Sequence, residues 1–252
     1  MRQEGMMTLP VDFWEKLSDA FTRADAPDVT FTELLLTLVI AAGLSVPRRS
    51  WRYFGLLATA THEMGHAVAA VLSGQRLSGI RLRLDHSGTT TTYSRSKRAS
   101  AWSCFWGYPV PAIVGATFVW CGFSGWGPAA VVSGGFALAA SLLFLRNLAG
   151  LLITSAGIAC ILLLVLLVPE AFLGHVSVIL GLALLVAAVR DLVKLAHVHL
   201  RRRERLASSD AYLLWRATAV PSAVWIVLFA ALVAGSWLWA WQPISTVLSR
   251  GA

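Results

Sequence analysis

The chain has 252 residues, 57% of them hydrophobic and 13% charged, and its mean hydropathy is +0.67. That balance excludes an ordinary water-soluble domain and indicates an all-α polytopic membrane protein. The formal net charge is +8, but the basic residues sit in short loops between apolar runs. This fits positive-inside orientation and contact with anionic lipid, and argues against nucleic acid as a partner.

Residues 1–30 contain Asp, Glu, Lys and Arg and no continuous apolar run, so they do not read as a cleavable signal peptide. Val11, Trp14, Leu17 and Phe21 follow helical spacing, which predicts an amphipathic cytoplasmic segment lying on the membrane surface. Residues 31–252 read as one integral membrane domain. Its apolar segments run from Leu34 to Val46, Leu56 to Gly74, Ala101 to Gly122, Gly127 to Leu145, Leu148 to Val168, Val176 to Ala196 and Val220 to Trp241. These make about six or seven hydrophobic segments, because the first is short against the roughly 20 residues a crossing needs. Prolines at 47, 109, 111, 128, 169 and 221 punctuate the boundaries, and Trp51, Trp102, Trp126 and Trp239 stand near segment ends, as in an aromatic belt. Cys104, Cys121 and Cys160 lie in apolar segments without CxxC spacing and read as packing residues.

The second apolar segment carries Thr61-His62-Glu63-Met64-Gly65-His66, an HExxH motif. Residues four apart share one helix face, so both imidazoles can reach one metal while the intervening Glu sits beside the open coordination position. Ionisable groups at bilayer depth cost roughly 2.5 to 3.5 kcal/mol each on insertion scales, so three within five positions need a compensating partner. A metal supplies one; a polar face lining a bundle interior is the alternative. The basic stretches Arg76 to Arg98 and Arg190 to Arg205 are expected on the cytoplasmic side, with the HExxH helix ending there near Gly74. Arg48, Arg49 and Arg52 then fall on the opposite side, a conflict that a re-entrant first segment would remove.

After the motif, Ile80, Leu82 and Leu84 alternate with Arg81 and Arg83, and Asp85-His86-Ser87-Gly88 leads into Thr89 to Tyr93. The pattern predicts a short β-hairpin. Its strand edge would suit main-chain binding of an extended peptide; an amphipathic cap on the bundle is the equal alternative.

HExxH supplies two ligands, and a catalytic zinc commonly takes a third from the protein. Of the later acidic residues, Glu170 falls on the opposite face and Glu204 among arginines, leaving Asp191 and Asp210. Asp191 adjoins Arg190 and Lys194, which offer it an ion pair. Asp210 follows Ser208-Ser209, where a helix-capping role competes. The remaining histidines, His86, His175, His197 and His199, read as turn or boundary residues. Asn147, at a segment start, reads as a helix cap or an accessory amide that orients substrate.

The block His62-Glu63-Met64-Gly65-His66-Ala67 with the strand region after it resembles the M50 membrane metalloproteases, the site-2 protease class, in its M50B-like branch. Gly107-Tyr108, Pro111, Gly115, Arg146-Asn147, and Ser209-Asp210-Ala211 with Leu214, Thr218, Pro221 and Trp225 extend the resemblance over most of the chain from His62 to Trp225. The Asn-Pro-rich LDG signature that carries the Asp ligand in the best-known members is missing. The resemblance implies zinc (Zn2+) held by His62, His66 and Asp210, with Asp191 the alternative third ligand, and Glu63 as catalytic base. It implies a zinc-dependent metalloendopeptidase acting on transmembrane protein or peptide substrates, that is, regulated intramembrane proteolysis, from a multi-pass position in a bacterial plasma membrane. A non-catalytic membrane scaffold of the same fold and a metal or solute transporter are the competing functions. The chain has no repeated halves of the kind many transporters show.

Overall fold

The computed structural model describes residues 9–201, 206–207 and 209–251. Glu204 with its neighbouring arginines 202, 203 and 205, and Ser208, lie outside the described residues. The chain forms α1 (Leu9–Asp19), α2 (Phe31–Ser45) and α3 (Arg48–Leu72), then β1 (Arg76–Leu82) and β2 (Gly88–Tyr93). It continues through α4 (Lys97–Phe105), α5 (Pro109–Phe123), α6 (Gly127–Leu142), α7 (Leu148–Leu167), α8 (Glu170–Arg201), α9 (Asp210–Thr218) and α10 (Ser222–Gly251).

The α5–α8 pair is the axis of the bundle. Gly115 lies against Gly181, and one heptad on, Gly122 lies against Gly174, so the two helices run antiparallel. A Cβ on Gly115 would stand 2.7 Å from the Gly181 carbonyl, and one on Gly181 would stand 2.5 Å from the Gly115 carbonyl. Only glycine lets the backbones approach this closely, as small residues do generally between membrane helices. Leu34 and Ala41 of α2, Val119 of α5, Leu185 of α8 and Val233 and Ile244 of α10 close around this seam.

Each of the seven apolar segments is largely helical, but six or seven spans are not confirmed. Among the described residues, α7, α8 and α10 are long and apolar enough to cross a membrane, and up to five crossings result if two bent pairs each count as one. Three local causes account for the difference. Pro47, the extended residue just before α3, stands at an 86° bend between α2 and α3, as in a broken span or a re-entrant loop. Arg190 braces that bend from α8, donating to the carbonyls of Ser45 (2.7 Å) and Val46 (3.0 Å) while its guanidinium lies 4.0 Å from the centre of the Trp51 ring. The segment from Ala101 to Gly122 is split between α4 and α5, bent by 46°, and α6 has only 16 residues. Because α3 begins at Arg48, residues Arg48, Arg49 and Arg52 occupy its first turns.

The hairpin is present as an antiparallel pair with Arg81 opposite Thr89 and Leu82 opposite Gly88. Ile80 and Leu82 are buried, whereas Leu84 lies beyond β1 and is exposed, so the predicted alternation stops one step early. Asp85 closes the turn by accepting from the Ser87 amide (3.0 Å) and hydroxyl (2.6 Å), with His86 in the left-handed region at φ 62°. The far edge of β1 is also occupied. Ile80 donates to the Phe144 carbonyl (2.8 Å) and accepts from the Arg146 amide (2.9 Å). Asn147 extends the contact with its side chain, accepting from the Leu82 amide (3.2 Å) and donating to the Leu82 carbonyl (2.7 Å). The residue that starts α7 therefore makes no side-chain cap there; its amide copies a strand's hydrogen-bonding pair. At the N-terminus, Leu17 packs with Val131, Val132 and Val165 on α6 and α7, and Phe21 stacks on Phe136.

The glycine seam makes a stability prediction. Gly181→Val should lower the thermal midpoint in detergent, with a loss of about 1–3 kcal/mol or more from overpacking. Gly43→Ala, where a Cβ would meet nothing within 4 Å, should be neutral or stabilise by up to about 1 kcal/mol.

Candidate metal centre

His62 and His66 lie one turn apart on α3, and their Nε2 atoms are 3.1 Å apart. Asp210, from the first turn of α9, brings Oδ2 to 3.2 Å from His62 Nε2 and 3.3 Å from His66 Nε2. Three donor atoms thus form a nearly equilateral triangle. Zinc with bonds of about 2.0–2.1 Å in tetrahedral geometry separates its donors by about 3.3 Å, so the triangle has the size of one face of such a site. Two neutral nitrogens and a carboxylate also form a donor set suited to zinc. All three side chains are 12–16% exposed, so the face lies beneath the surface without being sealed. Burial alone would raise the Asp210 carboxyl, but the two imidazoles beside it hold it well below the usual carboxylate range, and it stands there as an anion.

Local structure explains how Asp210 is free for this. Ser209, not Asp210, caps α9: its hydroxyl accepts from the Tyr212 amide (3.3 Å). His199, at the end of α8, reaches that same hydroxyl at 3.4 Å. The helix is seated by Ala211 and Leu214, fully buried with Ala101, Leu195 and Phe229 in one cluster that also packs Cys104 and Tyr108. Asp191 is elsewhere. It is not part of the triangle, and among the described residues it forms no ion pair, since Arg190 is committed to the α2–α3 bend. His86 reaches the Arg52 carbonyl (3.2 Å), His197 is exposed, and His175 lies at the start of α8; none joins the group.

Glu63 is 5% exposed and faces the hairpin. The Thr90 hydroxyl of β2 lies 2.7 Å from Glu63 Oε2 and 3.0 Å from the Glu63 carbonyl, and donates to either. Gly88 lets the strand lie against the carboxylate, since a Cβ there would come within 2.5 Å of Glu63 Oε1. Tyr108 sets its ring edge-on to His62 at 4.8 Å between centroids and stacks on Phe229. Sequence reasoning gave no role to Thr90 or Tyr108. Thr90 is one of four consecutive threonines, so its singling out needs the register of the hairpin.

The family comparison falls on the same part of the chain. A family model described as Peptidase M50B-like matches residues 35–240. The chain belongs to this family. The matched range holds all three corners of the triangle, the HExxH glutamate and the hairpin, so the M50B-like resemblance carried by His62 to Trp225 is a true family relation. No curated protein and no solved structure matches the chain.

The triangle leads to the prediction that metal retention depends on Asp210 and not on Asp191. In chelator competition on detergent-purified protein, Asp210→Asn should weaken zinc binding by more than about 100-fold, because even outer-shell losses cost about 10–100-fold. Asp191→Asn should bind as wild type does.

Proposed function

We propose that this M50B-like chain is an intramembrane zinc metalloendopeptidase that hydrolyses peptide bonds in or next to transmembrane segments of other membrane proteins. The observation that carries the reading is the triangle of His62, His66 and Asp210 beside Glu63, two of its corners flanking that glutamate on α3 and the third coming from α9, among helices apolar enough for a bilayer. Zinc bound to that triangle would lower the pKa of water and polarise the scissile carbonyl. Glu63, one residue along α3 from His62, takes the proton from the attacking water and returns it to the leaving amine. Thr90 steadies the carboxylate for both transfers, and Tyr108 keeps the His62 ring from rotating away.

The hairpin supports an extended substrate. β1 is paired on both edges, with β2 and with the stretch from Phe144 to Arg146. β2 has a second edge that no backbone hydrogen bond reaches among the described residues, and it runs past Glu63 through Thr90. A peptide unwound from a substrate helix would gain main-chain partners on that edge, which offsets part of the cost of losing its own. The reading places the protein as a multi-pass component of a bacterial plasma membrane, with lipid and substrate segments as its partners.

The deciding variant is Glu63→Gln, which keeps size and hydrogen bonding but cannot take a proton. It should retain zinc and lose about 10²–10⁴-fold in cleavage of a reconstituted single-span reporter substrate. Wild-type turnover in that variant would remove Glu63 as the base, and a cellular role undisturbed by it would favour a scaffold.

A further inference from the structure

Between α4 and α5 the helical hydrogen-bond pattern is interrupted over Trp106, Gly107 and Tyr108, although Trp106 and Tyr108 keep right-handed helical dihedrals. The sequence dictates the break. Pro109 and Pro111 have no N–H, so the carbonyls of Phe105 and Gly107, four residues before them, have no intrahelical donor. The Trp106 amide falls back to the Ser103 carbonyl at 3.4 Å, tightening the last turn of α4. That turn lies directly behind the triangle.

Three contacts follow from this placement, one for each ligand or pair of ligands. The Ser103 carbonyl lies 2.8 Å from His66 Nδ1. A carbonyl has no proton, so Nδ1 is the donor, and in the neutral ring that a metal requires the lone pair of His66 is on Nε2, facing the triangle. Cys104, the next residue, points its thiol at Asp210, with Sγ 3.8 Å from Oδ1 and 3.6 Å from the backbone carbonyl. Oδ1 is the oxygen that Asp210 does not present to the histidines; that role falls to Oδ2. Gly107 brings bare backbone against both rings. A Cβ on it would stand 2.4 Å from His66 Nε2 and 2.6 Å from His62 Nε2, closer than any non-bonded carbon can approach.

We propose that the α4–α5 interruption is the outer frame of the metal centre, and that Cys104 is a positioning residue which holds the third ligand through its S–H group. The inference rests on the reading of His62, His66 and Asp210 as metal ligands. It gives Cys104 a polar task in place of the packing role its apolar segment suggested. The one S–H donates to the Asp210 backbone carbonyl or to Oδ1, either of which fixes the residue with Oδ2 toward the ion, and glycine at 107 keeps both imidazole tips where the carboxylate meets them.

The test is zinc affinity by chelator competition, measured on full-length protein in detergent with helix content followed by circular dichroism. The variants are Cys104→Ser, which keeps a donor, Cys104→Val and Cys104→Ala, which remove it with volume kept or reduced, and Gly107→Ala. The proposal expects Val and Ala to weaken zinc binding about 10–100-fold, Ser to bind close to wild type, and Gly107→Ala to lose zinc with its helices intact. Folded Val or Ala variants that bind as wild type does, or a Ser variant as weak as Val, would reduce Cys104 to packing and overturn the assignment. Full zinc binding by Gly107→Ala would overturn the role of the interruption. Wild type that binds no zinc would instead fail the metal reading itself, a result separable from all of these.

Discussion

Everything in this protein is arranged around the convergence of two imidazoles and one carboxylate from elements far apart in the chain, inside an apolar bundle. Such groups are expensive away from water, and a carboxylate beside two nitrogens is tolerable there only if each is held in a geometry that satisfies it. The HExxH turn supplies two corners at no conformational cost, because a helix already places residues 62 and 66 on one face. The third corner arrives about 150 residues later and has to be delivered by tertiary packing. Ala211 and Leu214, fully buried against α4 and α10, are what carry Asp210 to the histidines.

That delivery depends on close backbone contact at two levels. The glycine pairs between α5 and α8 fix the depth and rotation of both helices, and α8 leads directly toward α9. At its other end α5 begins at the interruption that touches the histidines. A rotation of α5 against α8 would therefore move the frame behind the ligands together with the helix that precedes Asp210. Packing in the apolar middle of the bundle and geometry at the centre are coupled through shared elements, with no polar network required between them.

The sequence makes the helical membrane class, the HExxH turn and the hairpin readable because each rests on local periodicity or spacing. Asp210 was separable from Asp191 only by family resemblance. Local chemistry gave both a plain alternative, an ion pair for one and a cap for the other, and those alternatives were settled by partners that no local pattern reveals: Arg190 turns to the α2–α3 bend, and Ser209 takes the cap. The count of six or seven hydrophobic segments is not confirmed as a count of spans, for a related reason. Hydropathy registers that Leu34 to Val46 and Ala101 to Gly122 are apolar but not that prolines at 47, 109 and 111 bend or break them. Asn147 could be recognised as a polar residue with a task, yet its pairing with Leu82 required the register of β1. Cys104 was unreadable, since a thiol in an apolar run looks the same whether it packs or donates.

The distribution of the breaks carries the last point. α7 and α8 contain no proline and an uninterrupted apolar helix spends its inner backbone groups on itself, whereas Pro243 inside α10 leaves the Trp239 carbonyl without its intrahelical donor. The α4–α5 interruption and the hairpin meet Glu63 and the histidines directly, whereas the α2–α3 bend lies about 21 Å before His62 along α3. Under the proposed function, hydrolysis of a peptide in these surroundings would need backbone partners for an unwound substrate, second partners for the ligands, and room for water, none of which a regular helix offers. Prolines and glycines that would weaken an ordinary span are here the means by which polar backbone is made available at the chemistry.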